Sequence, residues 1–321
     1  MRRLRTSEGP DGLTVEGAAG RSRRDVPAIE LGWKARILAY LALTKPRIIE
    51  LLLITTVPSM IVAEKGIPSF ALMFWTVVGG AISAGGANTL NCYIDRDIDE
   101  LMPRTKRRPL PTNRVTPRNA LVFGIALGAI SFVLMWATVN LLAASLALGA
   151  LLFYVIVYTK FLKRSTPQNI VIGGAAGAVP ALVGWAAVTG RVGMPALVLF
   201  GIIFYWTPPH FWALAMRYER DYAAAGVPMM PVVYGRSETV KHILLYSFLL
   251  LAMSLAFFSV AEAGLVYLGA ALILNGIFIG YAVQLYRRPE PRVAWALFKY
   301  SIYYLALLFI AAAVDQLVVI H

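Results

Sequence analysis

Residues 70–101 read FALMFWTVVGGAISAGGANTLNCYIDRDIDEL, an apolar stretch that runs directly into a cluster of acids. A helix of about 20 apolar residues, at 1.5 Å per residue, crosses the hydrocarbon core of a bilayer. Acidic side chains near the end of such a span are costly and usually have a function. This stretch therefore predicts a membrane-spanning helix whose end carries chemistry.

The rest of the chain repeats this apolar pattern. Hydrophobic residues make up 59% of the 321 residues and charged residues 15%, with a mean hydropathy of +0.67. An ordinary soluble domain has about 25% charged residues. The apolar blocks lack the alternation of barrel strands, and they cover 48–64, 70–90, 118–137, 139–159, 170–189, 195–215, 243–261, 264–286 and 295–318. We therefore predict an all-α, polytopic membrane protein with nine transmembrane helices.

The placement of the 30 Lys and Arg residues argues against nucleic acid as a partner, despite the net charge of +13. Most of them precede the first span or lie in every second connection, at 96–118, 160–164, 217–241 and 287–292. The opposite connections hold only Lys65 and Arg191, and Lys299 lies within the last predicted span. By the positive-inside rule, the N-terminus is cytoplasmic and the C-terminus lies outside the plasma or inner membrane.

The N-terminal residues 1–33 are polar and basic, without the apolar core of a signal peptide. Their composition predicts a disordered cytoplasmic tail over residues 1–40, followed by a single transmembrane domain over 41–321. The single cysteine, Cys92, leaves no partner for an intrachain disulfide and no basis for a cysteine metal cluster.

The second span ends with three polar side chains at helical spacing. Asn91, Asp95 and Asp99 share one face, whereas Asp97 points roughly the other way. Two carboxylates and an amide oxygen suit Mg²⁺, which is usually completed by water and substrate phosphates. The alternative is a frayed helix end whose acids pair with neighbouring arginines. The spacing and a second acidic site favour the metal, with a diphosphate as its missing ligand.

That second acidic site follows the sixth span, where residues 208–221 read PPHFWALAMRYERD. Spans two and six cross in the same direction and are four spans apart. We therefore expect two repeated four-helix halves, spans 1–4 and 5–8, whose acidic ends face each other across the mouth of the bundle. Basic residues after the first acidic motif, and a tyrosine and basic residues at the end of the fourth span, are candidates for stabilising the charge of a leaving diphosphate, although the positive-inside rule alone also places cations there. They are Arg104, Arg107, Arg108, Tyr158, Lys163 and Arg164.

These residues resemble the UbiA superfamily of intramembrane aromatic prenyltransferases, whose first motif is Asn-x-x-x-Asp-x-x-x-Asp. Further segments between residues 40 and 318 resemble the branch that attaches a farnesyl group to haem b. They are Arg108-Pro-Leu110, Tyr158-Thr159, Leu162-Lys-Arg164, Asn169-Ile-Val-Ile-Gly-Gly174, Pro209-His210 and Asp221-Tyr-Ala-Ala-Ala-Gly-Val-Pro228. The resemblance implies a UbiA-like bundle, Mg²⁺ as cofactor, and farnesyl diphosphate and haem b as substrates.

The same resemblance assigns roles to residues. It implies that Asn91, Asp95, Asp99 and Asp221 are the catalytic and metal-binding side chains, and that His210 contacts haem or its iron. A lone histidine in a membrane helix otherwise usually makes packing hydrogen bonds. Haem A synthase or a terminal oxidase is the assembly partner to expect.

The sequence departs from the superfamily pattern at Arg217, which stands where a second acid is common. Either Asp221 holds a second Mg²⁺ with help from Glu219, or Arg217 contacts the diphosphate directly. Two other functions compete with haem farnesylation. One is prenylation of a quinone or chlorophyll precursor, which lacks the Pro209-His210 and Asp221-Tyr222 segments. The other is transport, for which acids near the bilayer midplane are expected.

Overall fold

The computed structural model describes residues 31–318, together with all side chains in that range except those of residues 47–53. Residues 1–30, where most of the predicted tail falls, lie outside the described residues. The predicted tail boundary at residue 40 is too late, because a helix already begins at Trp33. Its Ala39 and Leu43 are buried against Cys92 and Leu110, and this apolar packing makes the segment part of the fold.

The described residues form helices joined by turns and connections and contain no strand, as predicted for an all-α protein. The helices are α1 (Trp33–Thr44), α2 (Pro46–Glu64), α3 (Phe70–Ile94), α4 (Arg96–Leu101), α5 (Pro117–Thr138), α6 (Leu141–Leu152), α7 (Lys163–Ser165), α8 (Asn169–Thr189), α9 (Met194–Arg217), α10 (Glu219–Ala224), α11 (Met230–Val233), α12 (Gly235–Val260), α13 (Leu265–Arg287) and α14 (Pro291–Val318). A π-helix, Phe153–Leu162, joins α6 to α7.

Eight helices of the described range are long and apolar enough to cross a membrane, one fewer than predicted. The π-helix and its two flanking helices form one of these spans, Leu141–Ser165. The remaining predicted span, 48–64, coincides with α2, in which the described apolar part is the shorter Ile54–Glu64. The protein is therefore an integral membrane protein, with an eight-span count over the described residues.

Small residues allow the helices around the site to approach closely. A Cβ atom on Gly86 of α3 would lie 3.0 Å from the backbone oxygen of Gly124 in α5, so these backbones are in direct contact. Such close packing of small residues drives association of membrane helices. α5 therefore supports one face of α3, and another face of α3 carries the polar residues at its end.

One buried acid lies outside the candidate site and has a structural role. Asp315 of α14 is fully buried and accepts hydrogen bonds from the backbone N–H groups of Gly264, at 2.5 Å, and Tyr267, at 2.9 Å. These groups begin α13 and have no partners within that helix. Asp315 therefore caps α13 and ties the last span to the preceding connection.

Candidate active site

The bundle encloses a cavity of about 600 Å³ between α2, α3, the π-helix, α8, α9 and α14. Its deep part is mostly apolar, with small side chains on α3, α6 and α8 and the hydroxyl side chains of Thr55, Thr56, Thr76 and Ser83. Its other end is strongly polar and is lined by Lys45, Asn88, Asn91, Asp99, Arg104, Thr105, Arg108 and Lys163. The cavity therefore combines a charged mouth with an apolar interior, as an amphiphilic substrate requires.

Asn91 and Asp95 form the centre of the charged mouth. The Asn91 amide donates to Asp95 Oδ2 at 2.7 Å and to Thr159 Oγ1 at 3.2 Å, while Lys45 Nζ donates to Asn91 Oδ1 at 2.7 Å. The Lys163 ammonium contacts Asp95 Oδ2, and the Asp95 side chain is fully buried. Asp95 therefore lies just behind the cavity wall, covered by Asn91 and Lys163.

Asp99 lies one helical turn further and lines the cavity. Arg108 Nη1 donates to both of its carboxylate oxygens, at 2.9 and 2.7 Å. Burial opposes the charge of Arg108, but the carboxylate of Asp99 holds the pKa of this guanidinium above its usual value. α3 ends at Ile94, yet the Asp99 N–H donates to Asp95 O at 2.8 Å, so the four-residue spacing continues through the break.

Asp97 points away from this stripe, as the spacing predicts. Its side chain is 61% exposed and pairs with Arg164, whose Nη1 and Nη2 each donate to one carboxylate oxygen at 2.7 Å. These hydrogen bonds hold the pKa of the Asp97 carboxyl below its usual range. Arg164 Nη2 also lies 3.6 Å from Asp95 Oδ1, so this arginine spans both faces of the helix.

The donor set at the mouth fits Mg²⁺. Asp95 Oδ1 is buried without a hydrogen-bond partner, which leaves one acceptor oxygen for a cation. Asn91 Oδ1 and the Asp99 carboxylate add oxygens of the kind that hard cations prefer. Among the described residues, no three His, Cys, Asp or Glu side chains gather in one place, so any cation here also needs the amide of Asn91 and oxygens from a ligand.

The ends of α3 and α9 share one local geometry. α3 is followed by the cap residue Asp95 (φ −85°, ψ 3°) and α9 by the cap residue Tyr218 (φ −107°, ψ 25°), and each cap is followed by a six-residue helix. The Tyr222 N–H donates to Tyr218 O at 3.1 Å, as Asp99 does to Asp95. Tyr222 therefore occupies the position that corresponds to Asp99.

This register brings aromatic rather than acidic side chains to the mouth from the second half. Leu214 and Tyr222 line the cavity, as Asn91 and Asp99 do in the first half. The Tyr222 hydroxyl accepts a hydrogen bond from Arg104 Nη2 at 2.8 Å, and Arg104 lies over the rings of Tyr218 and Tyr222. The two halves thus meet at Arg104 and the tyrosines.

Five predicted site residues do not line the cavity: Asp95 and Arg164, described above, and Arg217, Asp221 and Arg107. Arg217 is exposed on α9, with its guanidinium 4.7 Å from the centre of the Trp295 ring. Asp221 is half-buried on α10 beside Glu219, which pairs with Arg236 at 2.7 Å. Arg107 is exposed in the connection after α4. Because α9 ends at Arg217, Arg217 and Asp221 do not share one continuous helix face.

His210 and Tyr158 line the cavity, as predicted for site residues. The His210 ring stacks between Trp206 and Phe298, with centroid distances of 4.3 and 4.6 Å, and its Nδ1 lies 2.6 Å from Ser301 Oγ. Ser301 donates its one hydroxyl proton to Phe298 O at 2.7 Å, so Ser301 Oγ accepts from His210 Nδ1–H. The neutral ring therefore keeps a lone pair on Nε2.

Sequence reasoning missed Lys45 and Tyr222 as lining residues, and among the aromatic residues near the mouth it chose Tyr158 but not its neighbour Tyr154. Lys45 begins α2 in the left-handed conformation (φ 54°), and its side chain reaches 46 positions along the chain to Asn91. Tyr154 lies 5.3 Å from Tyr158, centroid to centroid, on the π-helix. A left-handed, non-glycine residue directly before Pro46 is a structural feature, and residue composition gives no signal for it.

The fold and this site define a class of membrane enzyme. The sequence pattern of the UbiA prenyltransferase family matches residues 52–311, so the chain belongs to that family. It is similar to a protoheme IX farnesyltransferase of Parafrankia sp. (strain EAN1pec), with 54% identity over 285 residues, which are 88% of this chain and 91% of the relative.

Solved structures show the same fold. A digeranylgeranylglyceryl phosphate synthase matches with a TM-score of 0.74 and 20% identity, over 88% of this chain and 98% of that one. A UbiA homologue from Archaeoglobus fulgidus, bound to GPP and Mg²⁺, has a TM-score of 0.62 and 19% identity, over 85% and 99%. The predicted UbiA-like bundle is confirmed, and the protein is a membrane-embedded prenyltransferase.

Arg217, the last residue of α9, and Tyr222, on the short helix α10, give a testable contrast. Arg217→Ala is expected to leave the KM for a prenyl diphosphate within about twofold, since Arg217 lies on Trp295 outside the cavity. Tyr222→Phe removes the hydroxyl to which Arg104 donates, so this hydrogen bond no longer holds the guanidinium at the mouth. The KM for the prenyl diphosphate is therefore expected to rise about tenfold. Separate titrations of Mg²⁺ and substrate measure both. A larger effect at Arg217 than at Tyr222 would contradict the geometry.

Proposed function

We propose that this chain transfers the farnesyl group of farnesyl diphosphate to a vinyl group of haem b, giving haem O and diphosphate in a Mg²⁺-dependent reaction. The observation that carries the proposal is one cavity with Asn91, Asp99, Arg108 and Lys163 at its mouth and His210 on its wall. The 54% identity to a protein named protoheme IX farnesyltransferase supports this choice of substrates.

Asn91, Asp95 and Asp99 are the residues that would hold Mg²⁺, together with oxygens of the diphosphate. The bound cation would neutralise the charge that grows on the leaving diphosphate. Every candidate oxygen except Asp95 Oδ1 now accepts from a basic side chain: Lys45, Lys163 or Arg108. These cations must turn from the carboxylates to the phosphates when substrate arrives, so Mg²⁺ and diphosphate are expected to bind together.

The chain's own residues then stabilise C–O cleavage. Lys163, Arg108 and Arg104 line the mouth, where their positive charge offsets that of the leaving diphosphate. Tyr154 and Tyr158 line the same cavity, and the face of an aromatic ring attracts a positive allylic carbon. The vinyl group bonds to that carbon, water adds to the resulting cation, and one proton is released, which completes the hydroxyethylfarnesyl group.

His210 is the residue proposed to hold the haem iron. Its Nδ1–H is donated to Ser301 and its ring is fixed between two aromatic side chains, which leaves Nε2 as the free lone pair. A hydrogen bond on the second nitrogen is the usual support for a metal-binding histidine. Haem held there would place its vinyl groups within the same cavity as the prenyl chain.

His210→Phe tests this role, since phenylalanine keeps the aromatic stack but has no lone pair. The variant is expected to lose the shift of the Soret band that haem b shows on binding to the wild-type protein. Ser301→Ala is expected to weaken haem affinity about 10- to 100-fold, as removal of a partner of a metal ligand does. Absorption titrations with haem b measure both. If His210→Phe still shifted the Soret band of haem b as the wild type does, His210 would not be the ligand of the iron.

The orientation is proposed from charge. The mouth, with Lys45, Arg108 and Lys163, lies on the side of the bundle that carries most of the basic connections. This side is cytoplasmic by the positive-inside rule, and so is the N-terminus. The eight counted spans alone would leave both termini on one side, so we take α2, with its shorter apolar part Ile54–Glu64, as a ninth crossing that places the C-terminus outside. A reporter enzyme fused after His321 tests that side.

The acceptor decides between the proposal and its nearest alternative, prenylation of a quinone precursor. Purified protein is incubated with Mg²⁺, farnesyl diphosphate and an equimolar mixture of haem b and hydroxybenzoate, and the products are analysed by mass spectrometry. Haem O as the main product supports the proposal. Prenylated hydroxybenzoate without any haem product would move the assignment to the alternative.

A further inference from the structure

The cavity follows one face of α3 from its mouth into the membrane. Asn91 lines the mouth, and Ala84, Gly80 and Thr76 line progressively deeper positions of the same continuous helix. At 1.5 Å per residue, Gly80 lies about 16 Å and Thr76 about 22 Å from Asn91 along the helix axis. Within α3, the lining ends at Thr76, whose side chain is fully buried.

Gly80 differs from the glycine next to it. A Cβ atom on Gly79 would lie 2.2 Å from Met135 Cγ, so Gly79 is needed for packing against α5. A Cβ atom on Gly80 would meet nothing within 4 Å, and the residue lines the cavity. Gly177, on the facing helix α8, also lines the cavity and is equally open. The absence of a side chain at Gly80 therefore creates cavity space and relieves no packing clash.

We propose that Gly80 determines the length of the prenyl chain that the cavity accepts, by leaving room for the third isoprene unit. The inference rests on the proposed function, because it takes the diphosphate to bind at Asn91. An isoprene unit adds four chain bonds, or about 5 Å when extended at ordinary bond lengths. Three units from the mouth, at about 15 Å, therefore reach the level of Gly80, and a fourth unit, at about 20 Å, extends to just short of the end of the lining at Thr76.

The physical reason is steric fit. A side chain at position 80 occupies the space of the third unit, so a two-unit chain still fits and a three-unit chain does not. Apolar pockets distinguish chains that differ by one methylene about 10- to 200-fold. We therefore expect Gly80→Leu to change the ratio of farnesyl to geranyl affinity by at least about tenfold in favour of geranyl, with Gly80→Ala in between.

The test measures binding, so it does not depend on the acceptor. The full-length protein in detergent, with Mg²⁺, is titrated with the unreactive thiolodiphosphate analogues of geranyl, farnesyl and geranylgeranyl chains. Gly276→Leu is the matched control, because Gly276 is open and exposed on α13, outside the cavity lining. Wild type and Gly276→Leu are expected to bind the farnesyl analogue more tightly than the geranyl analogue. Monodisperse elution from a size-exclusion column checks that each variant is folded. We expect both to fold, because leucine has a higher helix propensity than glycine.

The outcomes separate the inference from the function on which it rests. A farnesyl-to-geranyl ratio in Gly80→Leu equal to that of wild type overturns the inference, as does an equal shift in Gly276→Leu. If the ratio changes only at Gly80 while the wild type prenylates hydroxybenzoate and not haem b, the role of Gly80 stands and the proposed acceptor falls. If the wild type binds none of the three analogues, both are overturned.

Discussion

Asp95→Asn and Asp99→Asn are each expected to lower kcat at least about 10²-fold, while most of the protein remains folded. The amide keeps the shape of the carboxylate but removes the charge that would hold Mg²⁺ against the diphosphate. Asp95 is fully buried under Lys163 and Asn91, and Asp99 accepts two hydrogen bonds from Arg108. A water molecule cannot replace either carboxylate, because water carries no negative charge.

Asp97→Asn is the matched control on the same short helix. Its carboxylate is exposed and pairs with Arg164 on the opposite face, so we expect kcat within about threefold of wild type. Turnover and thermal unfolding are measured together, because loss of a charged hydrogen bond at Asp95 also costs about 2 kcal/mol of stability. If Asp97→Asn lost as much activity as Asp95→Asn, the assignment of one catalytic face would be wrong.

The second large effect is expected at Lys163. Lys163→Ala should lower kcat/KM for farnesyl diphosphate about 10²-fold, because a cation that faces the leaving diphosphate is lost. The same change frees Asp95 from its ammonium partner, so the Mg²⁺ concentration for half-activation should fall or stay constant. Kinetic titrations with Mg²⁺ and with substrate separate the two effects.

Lys160→Ala is its control, three residues earlier on the π-helix. Lys160 is exposed, and its ammonium lies 5.5 Å from the centre of the Phe161 ring, away from the cavity lining. Its activity is expected to match that of wild type. An equal loss in both variants would mean that the general positive charge of this surface matters, and that Lys163 has no direct contact with the diphosphate.

The spans and the first polar stripe were predictable because their signals are local. A block of apolar residues gives its own length, and the spacing of Asn91, Asp95 and Asp99 requires only one helical backbone. That spacing even survives the end of α3 at Ile94, since the Asp99 N–H still donates to Asp95 O. The separate face of Asp97 follows from the same periodicity.

The second half of the mouth was not predictable in this way. Sequence reasoning chose Asp221 and Arg217 for their charge, whereas the cap at Tyr218 directs Tyr222 to the cavity. Which residue ends a helix depends on packing across the mouth, where Tyr222 joins Ile98, Met102 and Ile170 in one apolar cluster. Lys45 was missed for a related reason, because its contact with Asn91 depends on how α1 and α3 pack.

The π-helix of residues 153–162 determines the direction in which the following side chains of the span Leu141–Ser165 point. The Lys163 N–H donates to Tyr158 O, five positions earlier, which is the backbone spacing of this wider helix. π-helical segments are rare, occur mostly as single turns within α-helices, and are frequently found at functional sites. Deleting one residue would turn the following residues by about 100°, and Lys163 would then point away from Asp95. The number of residues in this π-helix therefore matters as much as the identity of its side chains, because it keeps the Lys163 ammonium at the mouth of the cavity.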